Sequence, residues 1–313
     1  MRHSVAKAPE PLAYFNGKWL PLSAVGISVF DTGFVMGVTV AEQLRTFGGK
    51  VFRLDRHLSR LAQSLDRVGI VPEPALDEIG HIAEELAIQN AKLLDAADDQ
   101  QVTICVTPGI GGSYQSLVGQ VGPTVCVHTQ PLPFAQWAGK YETGDALVVT
   151  EVMQIPSRCW PPELKCRSRM HYFLADKQAR EREAGARALL LNEQGLVTEA
   201  STANLLIYDH DRGLISPPQE QILPGVTVAV LEELASMIGI PFLREELQVP
   251  QVAAAQEVLL CSTSPVVWSV ARLNGQAIGG SEFGAISQRL RAAWNEMVGI
   301  DIEAQARHFA GRC

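Results

Sequence analysis

The sequence predicts an α+β protein of two domains, built from mostly antiparallel sheets with flanking helices. Three observations carry this expectation: repeated hairpin signals, several apolar stripes at helical spacing, and one proline-bearing break between two segments that each mix both patterns.

Tyr14-Phe15-Asn16-Gly17-Lys18-Trp19 sets Asn-Gly between apolar stretches, the strongest short-range hairpin cue, because both residues tolerate the positive φ of a tight turn. Gly48-Gly49 separates Leu44–Phe47 from Lys50–Leu54 in the same way. Leu189 to Val197, turning at Asn192-Glu193-Gln194-Gly195, and Val270 to Ile278, turning at Asn274-Gly275, add two more hairpins. Leu58, Leu61, Leu65 and Val68 form one helical stripe; Ile79, Ile82, Ala83, Leu86 and Leu93 form a second. Phe173 begins a third helix that Gly185 ends, and Val228, Leu231, Leu234, Ala235 and Ile238 mark a fourth ending at Gly239. Between Gln130 and Gly139, which includes Pro131 and Pro133, periodicity stops. The expected division is a smaller N-terminal α/β domain over 1–130, a linker over 131–139, and a larger C-terminal domain over 140–313.

The 313 residues carry 47% hydrophobic and 19% charged side chains, within the globular range. A formal charge of −8 argues against nucleic-acid or anionic-membrane partners, since phosphates attract basic surfaces. No apolar run approaches the ~18–20 residues of a membrane span, and the first nine residues lack a signal-peptide core, so a cytoplasmic protein is expected. The six cysteines (Cys105, Cys126, Cys159, Cys166, Cys261, Cys313) form no C-x-x-C pair and are read as buried thiols. No His pair has zinc-helix spacing, so no metal is expected. A P-loop is lacking, and Gly109-Ile110-Gly111-Gly112 breaks the dinucleotide-binding pattern.

Seven lysines stand against nineteen arginines, so amines able to condense with a carbonyl are few. Lys18 and Lys50 follow hairpin turns, Lys7 lies in the tail, and Lys92 and Lys177 fall on charged helix faces. Lys165 follows the stiff Trp160-Pro161-Pro162, with Arg158, Arg167 and Arg169 close in sequence. It is either a loop lysine in a basic patch or a partly buried amine. In the second case nearby cations and burial push it below the ordinary lysine pKa of about 10.4, toward the ~7–8 useful for carbonyl chemistry. Leu223-Pro224-Gly225-Val226-Thr227 leads into the fourth helix, where unpaired N–H groups and the Thr227 hydroxyl suit a phosphate as well as they suit a plain helix start. Cys261-Ser262-Thr263-Ser264 is a second hydroxyl cluster after an apolar strand. Arg60 is a surface charge or a phosphate clamp, and Glu199 follows a hairpin strand where a lone carboxylate is ordinarily solvated.

Taken in order, His57-x-x-Arg60-Leu61, Lys165, Glu199-x-Ser201-x-x-Asn204-Leu205, Leu223-Pro224-Gly225-Val226-Thr227 and Cys261-Ser262-Thr263 resemble the class IV (fold-type IV) pyridoxal-phosphate enzymes. That family includes branched-chain aminotransferases, D-amino-acid aminotransferases and aminodeoxychorismate lyase. The similarity runs from about Tyr14 to about Leu290.

The resemblance implies a two-domain fold whose C-terminal domain binds pyridoxal 5'-phosphate. It implies Lys165 as the catalytic Schiff-base residue and Glu199 opposite the pyridine nitrogen, which its charge keeps protonated. Arg60, the Val226 N–H, Thr227 and Thr263 would hold the phosphate, and Leu223 would pack on the ring. A substrate pocket between the domains, completed by a loop of a second subunit in a homodimer, is also implied. Substrate choice is less marked. The D-amino-acid enzymes' arginine and tyrosine are replaced by Pro108 and Ala41, and the branched-chain enzymes' glycine pair and tyrosine by Cys166-Arg167-Ser168-Arg169-Met170. The stretch Thr107 to Tyr114 is loosely similar to the lyase subgroup's glycine-rich loop. The leading expectation is an aminotransferase moving an amino group from an amino acid, branched-chain among the options, to a 2-oxo acid. Arg45, Arg158, Arg167 and Arg169 are the candidate carboxylate anchors. The alternatives are a lyase releasing pyruvate and a non-catalytic cofactor-binding protein.

Overall fold

The computed structural model describes residues 9–115, 122–279 and 283–312; Lys7 and Cys313 lie outside them. Two compact units divide the chain: Met1–Leu132 with Cys166–Ser168, and Pro133–Lys165 with Arg169–Cys313. The stretch expected as a linker is apolar enough to pack, and Leu132, Phe134, Trp137 and Ala138 are buried.

In the first unit, β1 (Leu12–Phe15), β2 (Lys18–Pro21), β3 (Val40–Phe47), β4 (Lys50–Val51), β5 (Gln100–Thr107) and β6 (Thr124–Pro131) form one antiparallel sheet, ordered β2-β1-β6-β5-β3-β4. Asn16 and Gly17 take φ of 46° and 79°, so the β1–β2 turn has the twist that the Asn-Gly pair favours. A short helix α1 (Thr32–Val35) is capped by the Asp31 carboxylate, which accepts from the Gly33 N–H at 2.7 Å. Helices α2 (Leu54–Val68) and α3 (Leu76–Ala91) cover one sheet face with Leu61, Leu65, Ile79, Ile82, Ala83 and Leu86, against buried Val102, Ile104, Val106, Val125 and Val127. Gly69, at φ 75°, ends α2. The second stripe stops short of Leu93: α3 ends at Ala91, and Leu93 is exposed.

The second unit holds a nine-stranded sheet of β7 (Asp145–Val149), β8 (Arg187–Leu191), β9 (Val197–Ala200), β10 (Ala203–Asp209), β11 (Gly213–Ser216), β12 (Phe242–Arg244), β13 (Glu257–Ser262), β14 (Val266–Leu273) and β15 (Gln276–Ala277). The pairings run β10-β13-β14-β7-β8-β9 and back to β10, so six strands close on themselves. Closure removes the edges that an open sheet would leave unpaired. Most pairs are antiparallel, but β14–β7, β7–β8 and β11–β12 are parallel. A parallel β7–β8 pair demands a long crossover. That crossover carries Lys165 and helix α5 (Met170–Arg182), which follows a short α4 (Lys140–Thr143) in chain order.

Helix α5 lies close to the sheet because it presents alanines. Ala175 and Ala179 pack with Ala146, Val148, Ala186, Ala188 and Leu190. The Asp176 carboxylate pins it there, accepting from the Ala188 N–H at 3.0 Å and the Ser201 hydroxyl at 2.6 Å. Helix α6 (Val226–Met237) buries Val228, Val230, Leu231, Leu234 and Ala235 and ends before Gly239, at φ 73°. Among the described residues the remaining helices are α7 (Val249–Ala254), α8 (Ala285–Val298) and α9 (Ile302–Phe309). Cys126 and Cys261 are buried, Cys105 and Cys166 partly so, and none of the five described cysteines is disulfide-bonded. Cys159 departs from the expectation of buried thiols: it lies on the exposed loop before Trp160.

Candidate active site

Glu199 organises the site. It sits on β9, where all four residues are buried, rather than on a solvated hairpin end. Its Oε1 accepts from the Tyr172 hydroxyl and the Gln154 side-chain amide, each at 2.6 Å. Its Oε2 accepts from the Asn204 amide at 3.2 Å and the Leu223 N–H at 3.3 Å. Burial pushes the Glu199 carboxyl above the usual range. The donors from Tyr172, Leu223 and Gln154, and the positive charge of Lys165, pull the other way. Lys165 is half-buried and acts electrostatically on a carboxylate withdrawn from water.

The phosphate-suited turn adjoins this cluster. Asn204, opposite Glu199 in the β9–β10 register, also donates to the Leu223 carbonyl at 3.0 Å. Gly225 caps α6, and a Cβ built there would fall 2.2 Å from the Asn204 Oδ1, so only glycine fits without displacement. Val226 and Thr227 open the helix, both buried, with first-turn N–H groups that have no intrahelical acceptor. Thr263 lies half-buried in the turn from β13 to β14, where the β-branched Val266 takes a φ of 66°. The Tyr141 hydroxyl, donating to the Pro265 carbonyl at 2.8 Å, holds that turn. Lys165, Glu199, Leu223, Val226, Thr227 and Thr263 all belong to the second unit.

Arg60 belongs to the first unit and is buried on α2 rather than a surface charge. Its guanidinium grips Glu42 of β3 with two hydrogen bonds, both 2.8 Å. His57 Nδ1 lies 2.7 Å from the same carboxylate. Burial alone would raise the Glu42 carboxyl, but the Arg60 charge and hydrogen bonds, aided by His57, hold it far below the usual range. Among the arginines named as carboxylate anchors, Arg45 is fully buried with its guanidinium 4.2 Å from the Phe47 ring centre. Arg158 pairs with Glu193 at 2.6 Å on the surface. The Arg167 N–H binds the Thr39 carbonyl at 2.8 Å, and Arg169 stands at the start of α5.

Glu42, Gln154 and Tyr172 escaped the sequence reading. Glu42 left only a weak signal, an acid in a strand that also carries Gln43, Arg45 and Thr46 among its apolar residues. Gln154 and Tyr172 left none, because they reach Glu199 from 45 and 27 residues away.

A sequence model of the family described as amino-transferase class IV matches residues 39–273. A Methanocaldococcus jannaschii protein named "Putative branched-chain-amino-acid aminotransferase" is 28% identical over 91% of this chain and 95% of its own length. A Staphylococcus aureus D-alanine aminotransferase is 26% identical over 91% of this chain and 97% of its own. The Escherichia coli branched-chain amino acid aminotransferase structure superposes with a TM-score of 0.83 at 19% identity, covering 93% of this chain and 95% of that one. The T.th. branched-chain amino acid aminotransferase with pyridoxamine 5'-phosphate gives 0.80 at 20% identity, covering 97% of each.

Proposed function

The chain belongs to the amino-transferase class IV family, and from that premise we propose that it uses pyridoxal 5'-phosphate to move an amino group from an amino acid to a 2-oxo acid. The observation that carries the proposal is the Lys165 ammonium acting on a buried Glu199 beside the α6 N-terminus. An amine, a dry carboxylate and a hydroxyl-bearing helix start match, group for group, an aldehyde, a pyridine nitrogen and a phosphate.

When bound, the cofactor supplies a carbonyl carbon that condenses with amines and a ring that withdraws electrons from the bond being broken. Lys165 is the residue that would hold the cofactor through its Nζ, and the same amine, when free, would move a proton at the substrate α-carbon. Glu199 would lie opposite the ring nitrogen and favour a proton there. Thr227, the Val226 N–H and Thr263 would receive the phosphate, and Leu223 would pack on the ring. Arg60 stays in this reading as a phosphate ligand on the strength of the family motif alone.

Relatives named for branched-chain amino acids and for D-alanine both stand near this chain. We favour a branched-chain donor because the first of the two shares more residues. A homodimer and a cytoplasmic location complete the reading, the dimer checked by light scattering. The central test is reconstitution with pyridoxal phosphate, borohydride reduction and peptide mass spectrometry. The expected result is a visible absorbance erased by borohydride with the adduct on Lys165, absent in Lys165→Ala. A colourless protein overturns the reading. Turnover is then screened with paired L- and D-amino acids and several 2-oxo acids, and pyruvate release without an amino acceptor would mark a lyase instead.

A further inference from the structure

Each Glu199 oxygen accepts two hydrogen bonds from the chain. Three of the donors are fixed. The Leu223 N–H is backbone. The Asn204 amide is oriented by its second bond, to the Leu223 carbonyl at 3.0 Å. The Gln154 amide is oriented by the Ile155 N–H, which donates to its oxygen at 3.3 Å. The Tyr172 hydroxyl is the one member that can rotate.

Tyr172 is also held in place for this contact. It packs against the alanine-rich seam under α5, and Asp176, one turn on, ties that helix to Ala188 and Ser201. The His171 ring lies 4.1 Å from the Tyr172 ring, centre to centre. A short O–H···O⁻ bond to a buried carboxylate is among the strong hydrogen bonds, since the charge has no water to turn to.

Resting on the function proposed above, we propose that Tyr172 is a positioning residue: its hydroxyl keeps Glu199 ionised in a dry site, so the proton shared with the cofactor's ring nitrogen rests on the nitrogen. The balance is a single proton with two possible bases. Each donor to Glu199 makes the carboxylate the weaker base of the two, and a protonated ring is the stronger electron sink. The charged or titratable groups facing the pair are Lys165 from the crossover loop, and Arg169 and His171 from α5. Lys165 and Arg169 carry positive charge and act in the same direction as the hydroxyl.

The test is an infrared titration of cofactor-free protein, following the carbonyl band of the protonated carboxyl that Glu199→Gln removes. Tyr172→Phe keeps the ring and deletes only the hydroxyl. It should raise the Glu199 midpoint by about one pH unit, a tenfold gain in proton affinity, as expected for losing one charge-assisted hydrogen bond. Gln154→Leu, which removes the other donor to the same oxygen, should shift the midpoint in the same direction and serves if Tyr172→Phe does not fold. In the loaded protein, the signal of an isotope-labelled ring nitrogen should move toward the unprotonated form, and kcat should fall with KM little changed. A residue that only packs would lower stability without moving the midpoint. A Tyr172→Phe midpoint within about 0.3 unit of the parent overturns the proposal, as does an unmoved Gln154→Leu midpoint where Tyr172→Phe does not fold. Because the titration needs no cofactor, a parent protein that never loads overturns the function while leaving this measurement valid.

Discussion

Asn204 and Glu199 face each other across the β9–β10 pair, and the Asn204 amide joins the Glu199 carboxylate at 3.2 Å to the Leu223 carbonyl at 3.0 Å. One side chain thus ties the buried acid to the turn that starts α6. Its Oδ1 closes over Gly225, leaving no room for a methyl group.

Gly225→Ala is therefore expected to destabilise the protein by about 1–3 kcal/mol, the range for forcing an extra carbon into a packed site. Backbone strain is not the cause, since Gly225 has a φ of −67°. The denaturation midpoint measures the loss, and cofactor affinity should fall with it because Asn204 must move. An unchanged midpoint would show that Asn204 yields freely.

Glu199→Gln keeps the shape and removes the charge. It should still bind pyridoxal phosphate through Lys165 but lose about a hundredfold or more in kcat, as with other lost electrostatic stabilisers. Steady-state kinetics on borohydride-verified, fully loaded protein decides this. Near-parental rates would refute the role given to Glu199.

Glu42→Gln should cost about 3–5 kcal/mol, because it breaks a buried ion pair by removing the carboxylate charge that Arg60 and His57 share. The sign of the pH dependence follows. Glu42 is depressed in the folded protein, so its stabilisation is complete above the ordinary glutamate pKa and is lost as pH falls below it. Urea denaturation across that acid range should show a steep parental decline that the variant lacks.

His171 gives a second acid-sensitive limb at higher pH. Burial first, and the Arg169 charge second, lower its pKa to about 4. The unfolded chain, with a His pKa of about 6.5, then binds the extra proton, so stability falls as pH drops from about 6.5 toward 4. His171→Gln should flatten the thermal-stability profile over that interval while leaving it unchanged near neutrality.

The hairpins were legible because their turns are local. Asn16-Gly17 and Gly48-Gly49 take positive φ, and the Asn192 side chain accepts from the Gln194 and Leu196 N–H groups at 3.0 and 2.9 Å. Helix α6 was equally plain from its apolar spacing and following glycine. Helices α8 and α9 drew no prediction, although α8 buries Ile286, Leu290 and Trp294. At the site, the motif that holds Glu199 and Asn204 was visible, but the donors on Oε1 were not. Gln154 and Tyr172 both lie in the crossover between β7 and β8, so neither adjoins Glu199 until those strands pair.

The sequence by itself determined the hairpin turns, the helices α2, α3, α5 and α6, the family and the candidate lysine, since each is written in short local patterns of residues. Only the tertiary structure decided the electrostatics. Closing the second sheet removes Glu199 from water and surrounds it with donors from four separate segments, and the bidentate clasp of Arg60 on Glu42 forms only when α2 lies across β3. Charge burial depends on what covers a residue, and that covering comes from distant parts of the chain.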